Sequence, residues 1–279
     1  MTTKQLVLQT DFGLGDGAVS AMYGVALSLA PDLSVCDLTH EITPYNIWEA
    51  SYRLYQTINY WPKGTVFVSV VDPGVGSKRR SICALTKTGH YIITPDNGTL
   101  THVAKYFGLE EVKVINEDTE RLPHSAESHT FHGRDVYAYN GARLATGLVD
   151  FKDLGTKTDT FVSLPLIDEK ISDGAVTGMI DILDVRFGSL WTNISLDSLK
   201  ALNIKRDDLL LVTLYHNNVE VYQAKLPFVR SFAEVDLHEP LVYINSLVNV
   251  GIALNQASFA DTYHIGTGID WKVSLRKLS

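Results

Sequence analysis

A run of apolar, mostly β-branched residues at 65–71 (TVFVSVV) constrains the fold more than any other feature of this sequence. Strands with almost unbroken apolar character are typical of parallel sheets that are covered on both faces. The run ends abruptly at Asp72, and the Pro and two Gly that follow force a tight turn. We therefore expect a buried strand of a parallel sheet, with a carboxylate at its carboxyl end.

Strand and helix signals alternate through the first half of the chain. Strands are predicted at 6–8, 34–38, 65–71, 81–86 and 91–94, and helices at 18–30, 47–60, 100–107 and 136–146. Strands that alternate with helices favour right-handed crossovers and an α/β layer. The first half is therefore predicted to be an α/β domain with a largely parallel central sheet.

The pattern changes after about residue 151, where strand-like segments separated by turn signals dominate. Such segments lie at 174–183, 190–194, 209–215, 219–222, 241–244 and 269–275, and the one helix signal, at 195–202, is short. We expect an N-terminal α/β domain at 1–165, a smaller, β-rich C-terminal domain at 170–279, and a linker at about 150–173.

The charge balance argues against nucleic acid as the main partner. The 279 residues include 24 Lys and Arg against 32 Asp and Glu, a formal net charge of −8, whereas phosphate binding needs a basic face. The hydrophobic content of 45% is that of a globular chain. No apolar run approaches the ~18 residues of a membrane span, so no membrane partner is expected.

Two cysteines, Cys36 and Cys83, are too few for a disulfide scaffold or a Cys-rich zinc site. Both lie in apolar, strand-like stretches, so we expect both to be buried and reduced. The first residues contain no apolar stretch long enough for a secretory signal. These features together favour the cytoplasm.

The first cluster of chemically capable residues is Thr10-Asp11-Phe12-Gly13, at the end of the first predicted strand. Ligands of open α/β sheets bind at the carboxyl ends of strands, and a carboxylate there can accept hydrogen bonds from both hydroxyls of a ribose. Asp11 could equally cap the next helix or hold a turn. Position alone leaves both interpretations open.

The second cluster follows the apolar run and joins Asp72 to Arg79 and Arg80. A carboxylate close to a guanidinium stays ionised and oriented, which suits it to position a water or a hydroxide. The alternative is a structural ion pair at a turn.

The third cluster holds three histidines, His124, His129 and His132. Their spacings of five and three residues match no established set of metal ligands, so a metal site is disfavoured. His132, beside Gly133 at a predicted loop-to-helix transition, is the better candidate for acid–base or water-orienting work. A structural histidine is the alternative.

The fourth cluster, at 184–193, combines Asp184 with Phe187 and Trp191 between two predicted strands. A carboxylate next to exposed aromatic rings can hold a cation. A hairpin corner whose aromatic residues belong to the core would produce the same pattern.

In this order, the clusters resemble the S-adenosyl-L-methionine (SAM) hydroxide adenosyltransferase family, which is related to the SAM-dependent fluorinase and chlorinase. The resemblance spans nearly the whole chain. The matching segments are TDFG at 10–13, TPYNIWEA at 43–50, VVDPGVGSKRR at 70–80, PDNGTL at 95–100, FHGRD at 131–135, FGSLWTNI at 187–194 and INS at 244–246.

The resemblance implies an α/β N-terminal domain followed by a β-barrel-like C-terminal domain. It also implies a homotrimer that binds SAM at subunit interfaces, between the N-terminal domain of one subunit and the C-terminal domain of the next. In the implied reaction, water or hydroxide attacks the 5′ carbon of SAM and releases adenosine and L-methionine. SAM is then the substrate, and neither a metal nor another cofactor is expected.

The resemblance also assigns individual residues. The catalytic set falls on Asp72, Arg79 and His132, with Arg79 preferred to Arg80 by its spacing from Asp72. The substrate-binding positions are Asp11 for the ribose, Tyr45 near the ribose and the reacting carbon, Gly133 beside the catalytic histidine, Asp184 for the methionine ammonium, Phe187 and Ser189 for the adenine, and Ser246 for the methionine carboxylate.

Two positions depart from the family pattern. Ser189 stands where the family usually has an Asn that reads the adenine edge, and Val248 stands where it usually has a Gly. These departures keep open a second hypothesis, a protein that binds SAM or a nucleoside with little catalysis. A halogenase is a third hypothesis, disfavoured because halogenases carry a tyrosine at the position of Asp72 and a Tyr-Ser pair at 132–133.

Overall fold

The computed structural model describes residues 4–278, and the chain divides into two compact units between Leu164 and Pro165. Each unit has its own sheet and its own hydrophobic core. Within residues 4–278, no helix combines the length and the apolar character that a membrane span requires.

The first unit contains a seven-stranded sheet and four α-helices. Its strands are β1 (Gln5–Thr10), β2 (Ser34–Thr39), β3 (Val66–Val70), β4 (Ser81–Thr86), β5 (Tyr91–Pro95), β6 (Leu109–Ile115) and β7 (Thr156–Thr158). Its helices are α1 (Ala18–Leu29), α2 (Ile47–Thr57), α3 (Thr101–Tyr106) and α4 (Tyr139–Thr146), with 3₁₀ turns at Ile58–Tyr60 and Phe151–Asp153 and a π-helical turn at Gly133–Ala138.

The sheet of the first unit is parallel at its centre. The strand order is β2-β1-β3-β5-β4-β6-β7, and β2, β1, β3 and β5 are mutually parallel while the remaining pairs are antiparallel. All five residues of β3 are buried, as the unbroken apolar run predicts. The register pairs Thr10 of β1 with Val70 of β3. The segments that follow these two strands therefore leave the sheet at the same edge.

Helix α4 lies close against the central strands because it presents a glycine to them. A Cβ atom at Gly141 would lie 2.6 Å from Cγ2 of Val68 and 2.9 Å from Cδ1 of Leu6. The core of this unit forms along that contact and includes Met22 and Tyr137.

The second unit is an eight-stranded antiparallel sheet that nearly closes on itself. Its strands are β8 (Lys170–Ser172), β9 (Ala175–Leu183), β10 (Leu190–Ser195), β11 (Leu209–His216), β12 (Val219–Pro227), β13 (Pro240–Ile244), β14 (Asn249–Leu254) and β15 (Trp271–Lys277). Helices α5 (Leu196–Ala201) and α6 (Phe259–Tyr263) and a 3₁₀ turn at Phe232–Glu234 complete the unit.

The order β12-β11-β15-β9-β10-β14-β13 places β12 and β13 at the two ends of this sheet, with β8 paired to β9. A bridge between Phe228, just after β12, and Val242 of β13 joins those ends. The sheet therefore surrounds one core, which confirms the predicted combination of an α/β unit with a barrel-like β unit.

Some elements differ from those that the sequence pattern predicts. The segment at 150–173, expected to be a linker, carries β7, which pairs with β6, and β8, which pairs with β9. Strands β6 and β14 were not predicted, since charged residues interrupt the apolar pattern of β6 and a glycine lies within β14. Cys83 is buried as expected, whereas Cys36, on the edge strand β2, is only half-buried; both are free thiols.

Substitutions to alanine at two helical glycines, one packed against the sheet and one in open space, should change the stability of the protein in opposite directions. Gly141→Ala should destabilise the protein by about 1–3 kcal/mol, because the added methyl group overlaps Val68 and Leu6. Gly24→Ala, in α1, should stabilise it by about 0.5–1 kcal/mol, because no atom lies within 4 Å of the added Cβ and alanine favours helix. Urea denaturation followed by circular dichroism measures both, and equal effects would contradict this packing.

Candidate functional site

A cavity of about 350 Å³ lies where β1 and β3 end. Its wall brings together five of the residues singled out in the first half of the sequence. The lining consists of Asp11, Phe12, Pro44, Tyr45, Val70, Asp72, Val75, Thr130, Phe131, His132 and Gly133. The shared edge of the parallel strands thus collects side chains that lie far apart in the sequence.

Asp11 holds the backbone of Tyr45 rather than the start of α1. Its Oδ2 accepts a hydrogen bond of 2.8 Å from the Tyr45 amide, while Asp16 accepts one from Ala18 at the first turn of α1. Tyr45 has a φ of +68° and its side chain is 72% exposed. A bulky residue in the left-handed region is strained, and such strain concentrates at functional sites. The helix-cap interpretation of Asp11 is therefore wrong.

Asp72 is paired with Arg79 and not with Arg80. The Nε atom of Arg79 donates to both carboxylate oxygens of Asp72, at 3.0 and 2.9 Å, and Nη2 lies 2.7 Å from Oδ2. Arg80 pairs instead with Asp96. The geometry thus agrees with the choice of Arg79 over Arg80 that the spacing from Asp72 predicts.

A glycine brings the segment after Asp72 against the histidine-containing segment. Gly76 has a φ of +74°, and a Cβ atom there would lie 2.9 Å from the carbonyl oxygen of His129. Both its backbone conformation and this close approach require glycine. The turn therefore places Arg79 beside His132, which follows His129 by three residues in the sequence.

His132 receives a hydrogen bond from Arg79, and this fixes its tautomer. The Nδ1 atom of His132 lies 2.8 Å from Nη2 of Arg79. Because a guanidinium only donates, Nδ1 must accept, and the neutral imidazole then carries its hydrogen on Nε2. That Nε2 atom is buried, and no residue within 4–278 is its hydrogen-bond partner. His132, which lines the cavity, therefore carries on Nε2 an N–H donor that no described residue engages.

The environment of His132 keeps it neutral near pH 7. Burial lowers its pKa below the ordinary value of 6.5, and the positive charges of Arg79 and Arg121 act in the same direction. The negative charges of Glu117 and Asp72 raise the pKa but do not offset that loss. An imidazole that stays neutral retains the tautomer set by Arg79.

Arg79 itself stays charged. Burial lowers the pKa of the guanidinium, but the interactions with Tyr137, Asp72 and Glu117 raise it by more. The pKa therefore lies above its ordinary value. Its ring neighbour Tyr137 lies 5.6 Å from the guanidinium carbon. The charged Arg79 is thus paired with Asp72, which lines the cavity.

Gly133 allows two aromatic rings to close one wall of the cavity. A Cβ atom there would lie 3.1 Å from the ring of Phe12 and 3.3 Å from that of Phe131, and these rings meet edge to face at 5.9 Å. Gly133 also begins the π-helical turn, an irregularity that is frequent at functional sites.

Glu117, two residues after the end of β6, is a member of this network that the sequence pattern does not reveal. Its carboxylate pairs with Nη1 of Arg79, and its Oε2 lies 3.4 Å from Nδ1 of His132. Because β6 was not predicted, its carboxyl end could not be recognised as a site position.

In the second unit, Asp184 and Phe187 lie in the hairpin loop between β9 and β10. Asp184 Oδ1 accepts hydrogen bonds from the amides of Arg186 and Phe187, at 3.0 and 3.1 Å, and so shapes the loop. Phe187 is 69% exposed and borders a cavity of about 760 Å³. The other lining residues are Arg186, Phe232, Ala233, Leu254, Asn255, Gln256, Ala257 and Ser258. Phe232 is an aromatic of this wall that the sequence analysis missed.

Two further predicted residues occupy different surroundings. Ser189 is buried near the Tyr243 hydroxyl, which accepts a hydrogen bond of 2.9 Å from Trp191. Trp191 is therefore a core residue, whereas Phe187 is not. Ser246 lies in the exposed turn between β13 and β14.

The structure does not bring Ser246 to Asp184 and Phe187 within the second unit. Strand β14 pairs Asn249 with Ser195 at one end and Ile252 with Leu190 at the other. The turn with Ser246 adjoins the first end, and the hairpin loop at 184–189 adjoins the second. Since a strand rises about 3.4 Å per residue, the two segments are separated by most of the strand's length.

The remaining hypothesis from the sequence, a metal site, finds no support in the side-chain arrangement. Within residues 4–278, no three His, Cys, Asp or Glu side chains are grouped so that they could hold a metal ion. His124, His129 and His132 thus do not form such a group.

Comparisons with known proteins agree on one family. The profile of the SAM hydroxide adenosyltransferase N-terminal domain matches residues 6–155, and that of the C-terminal domain matches residues 178–272. A crystal structure of an uncharacterized conserved protein from Thermotoga maritima has a TM-score of 0.87 at 30% identity and covers 97% of this chain and 99% of that chain.

Two curated relatives carry the name (R)-S-adenosyl-L-methionine hydrolase. The protein from Methanocaldococcus jannaschii is 36% identical over 233 residues, 82% of this chain and 80% of its own length. The one from Thermus thermophilus is 32% identical over 268 residues, 93% and 95% of the two chains. A fluorinase from Actinopolyspora mzabensis is 26% identical over 295 residues, 96% of each chain.

The turn that contains Ser246 generates a stability prediction. Val248 has a φ of +65°, and its carbonyl accepts a hydrogen bond from Leu196, so the backbone keeps a conformation that glycine prefers. Val248→Gly should stabilise the protein by about 0.5–1 kcal/mol, because relief of this strain exceeds the added entropy of the unfolded chain. Val221→Gly, at another exposed valine on β12, should instead destabilise it by up to ~1 kcal/mol. Thermal denaturation measures both variants, and a loss of stability in Val248→Gly would contradict the strain.

Proposed function

This chain belongs to the SAM hydroxide adenosyltransferase family, and we propose that it hydrolyses SAM to adenosine and L-methionine. The observation that carries the proposal is that Asp72 and His132 line one cavity together with Asp11, and that Arg79 is hydrogen-bonded to both Asp72 and His132. The relatives named as SAM hydrolases, at 32–36% identity over most of the chain, support the same reaction.

The proposed reaction replaces one bond at the 5′ carbon of SAM. An oxygen–carbon bond forms from water, the carbon–sulfur bond breaks, and its electron pair goes to sulfur. Because the sulfonium leaves as a neutral thioether, no general acid is needed. The only proton to move is the one that water loses, so the enzyme's tasks are to orient the nucleophile, accept that proton and exclude other solvent.

Asp72 is the proposed acceptor of this proton. His132 presents a hydrogen on Nε2 and so cannot take the proton in its neutral form. Its N–H instead donates to the attacking oxygen and holds it in place. Arg79 holds the Asp72 carboxylate in place and stabilises the negative charge that develops as water is deprotonated.

The same geometry favours water over a halide as the nucleophile. A halide site needs hydrogen-bond donors, whereas the carboxylate of Asp72 would repel an anion. The named fluorinases are also less similar, at 26–28% identity.

The rest of the substrate is assigned to the remaining predicted residues. In the first unit, Asp11 Oδ1 is proposed to bind the ribose, with Tyr45 beside it. In the second, Phe187 is proposed to stack on adenine and Asp184 to meet the methionine ammonium. Ser189 is only 2% exposed, so a direct contact of Ser189 with adenine is the weakest of these assignments. The role of Ser246 at the methionine carboxylate rests on the family resemblance alone.

We further propose that the reaction needs no metal or other cofactor, since a neutral leaving group needs no Lewis acid. A cytoplasmic location is proposed because both cysteines are free thiols, which suits a reducing compartment.

The activity prediction concerns the water-activating residues. Purified protein incubated with SAM should release adenosine and methionine in equal amounts, as measured by chromatography. Asp72→Asn should lower kcat by about 10²–10⁴-fold because it removes the proton acceptor. His132→Gln should retain more activity than His132→Ala because its amide can still donate. Asp16→Asn, next to the site but outside the cavity lining, is the control and should leave kcat unchanged.

The outcomes separate the competing functions. Tight adenosine binding without turnover would instead support a binding protein, and a halide-dependent 5′-halogenated product would support a halogenase. Unchanged turnover in Asp72→Asn would overturn the assigned chemistry even if SAM is hydrolysed.

We propose that the protein is a homotrimer whose active sites lie at subunit interfaces, as the resemblance implies. Analytical ultracentrifugation should then give three times the mass of one chain. Mixed trimers of Asp72→Asn and Phe187→Ala should recover part of the activity that each variant lacks, because some sites would combine two intact halves. A monomer, or mixed assemblies without recovery, would contradict this arrangement.

A further inference from the structure

Glu117 completes the set of groups that surrounds the Arg79 guanidinium. Nε and Nη2 of Arg79 bond to Asp72, and Nη2 also bonds to Nδ1 of His132. Nη1 donates to Glu117 and, at 3.1 Å, to Ser81 Oγ. The Ser81 hydroxyl itself donates to Glu117. Each nitrogen of the guanidinium therefore has a defined partner, and Glu117 with Ser81 determines where Nη1 points.

Glu117 belongs to a second cavity, distinct from the one that His132 lines. This cavity also has a volume of about 350 Å³ and shares no lining residue with the first. Its lining consists of Arg79, Arg80, Ser81, Val114, Ile115, Asn116, Glu117 and Thr156. The Glu117 side chain is 23% exposed, against 5% for Asp72. Glu117 thus meets solvent from a cavity that the proposed substrate does not occupy.

We propose that Glu117 is a positioning residue for water activation: by fixing Arg79 Nη1, it aims Nη2 at His132 Nδ1 and so maintains the Nε2–H tautomer. The inference rests on the proposed function for its kinetic consequence, but the tautomer itself is a property of the free protein. Glu117 acts through Arg79 and does not line the cavity with Asp72 and His132.

The tautomer needs this support because Glu117 is itself an alternative acceptor. Its Oε2 lies 3.4 Å from His132 Nδ1. If Arg79 turned away, Nδ1 could carry the hydrogen and donate it to a side-chain oxygen at position 117, of Glu or of Gln, and Nε2 would then be an acceptor. The pairing of Glu117 with Arg79 keeps the guanidinium hydrogen-bonded to His132 Nδ1, so that Nδ1 remains an acceptor.

Charged groups from several segments face His132. Asp72 and Arg79 come from the segment between β3 and β4, Glu117 follows β6, and Arg121 lies four residues later. The ring of His129 is 6.1 Å away. Arg79 and Arg121 disfavour the imidazolium, whereas Asp72 and Glu117 favour it. Removal of the Glu117 charge should therefore make His132 harder to protonate.

Glu117→Gln tests the inference because it keeps the shape of the side chain and removes its charge. We expect kcat to fall by about 10- to 100-fold, as for other outer partners that orient a functional group, with KM within about twofold of wild type. The acid limb of the kcat profile, where His132 gains a proton, should also move to lower pH. A merely structural loss would lower activity without that shift.

A measurement on the free protein separates this inference from the proposed function. In ¹⁵N NMR of labelled histidine, wild-type His132 should be the Nε2–H tautomer, and Glu117→Gln should add a population of the Nδ1–H form. Glu117→Asp, which keeps the charge but shortens the reach, should fall between the two. Glu111→Gln, on β6 and paired with Lys113, is the matched control and should behave as wild type.

The results decide between the two claims. If wild type fails to hydrolyse SAM but shows the expected tautomers, the proposed function fails and the role of Glu117 in fixing His132 stands. An Nδ1–H tautomer in the wild type, or unchanged kcat and tautomer in folded Glu117→Gln, would overturn the inference. If Glu117→Gln does not fold, as judged by its circular dichroism, Glu117→Asp provides the same comparison.

Discussion

The buried ion pair between Asp72 and Arg79 is the interaction on which the rest of the first-unit site depends. A buried charge is costly unless it is paired and hydrogen-bonded, and here one guanidinium bonds to two carboxylates, a hydroxyl and an imidazole. These bonds do more than stabilise the pair. With one planar group they set the orientation of the Asp72 carboxylate, the tautomer of His132 and the direction of each donor.

The sheet makes this pair possible. Because β1 and β3 are parallel neighbours in register, the segments after Thr10 and Val70 emerge side by side, and Asp11 and Asp72 reach one cavity without a long loop. Two glycines then allow further segments to pack closely. Gly76 lets the segment that contains His129 approach the turn after Asp72, and Gly133 leaves room for the rings of Phe12 and Phe131. Rigid strands and tight turns hold the site more exactly than long mobile loops would.

Part of this arrangement can be predicted from the sequence. The run at 65–71 identifies β3, and the rule that ligands bind at the carboxyl ends of strands points to Asp11 and Asp72. The tautomer of His132 and the presence of Glu117 depend on contacts between distant segments, which local patterns do not encode. The burial of Ser189 against Tyr243 and the separation of Ser246 from Phe187 likewise follow from strand register in the second unit.

The division of the chain into two units with separate cores has an evolutionary consequence. The groups that would activate water all belong to one unit, and both departures from the family pattern, at Ser189 and Val248, belong to the other. Drift in the second unit can thus retune how tightly a ligand is held, or which ligand is accepted, without disturbing the bond-breaking step. A fold organised in this way allows new specificities to be sampled while the chemistry is conserved.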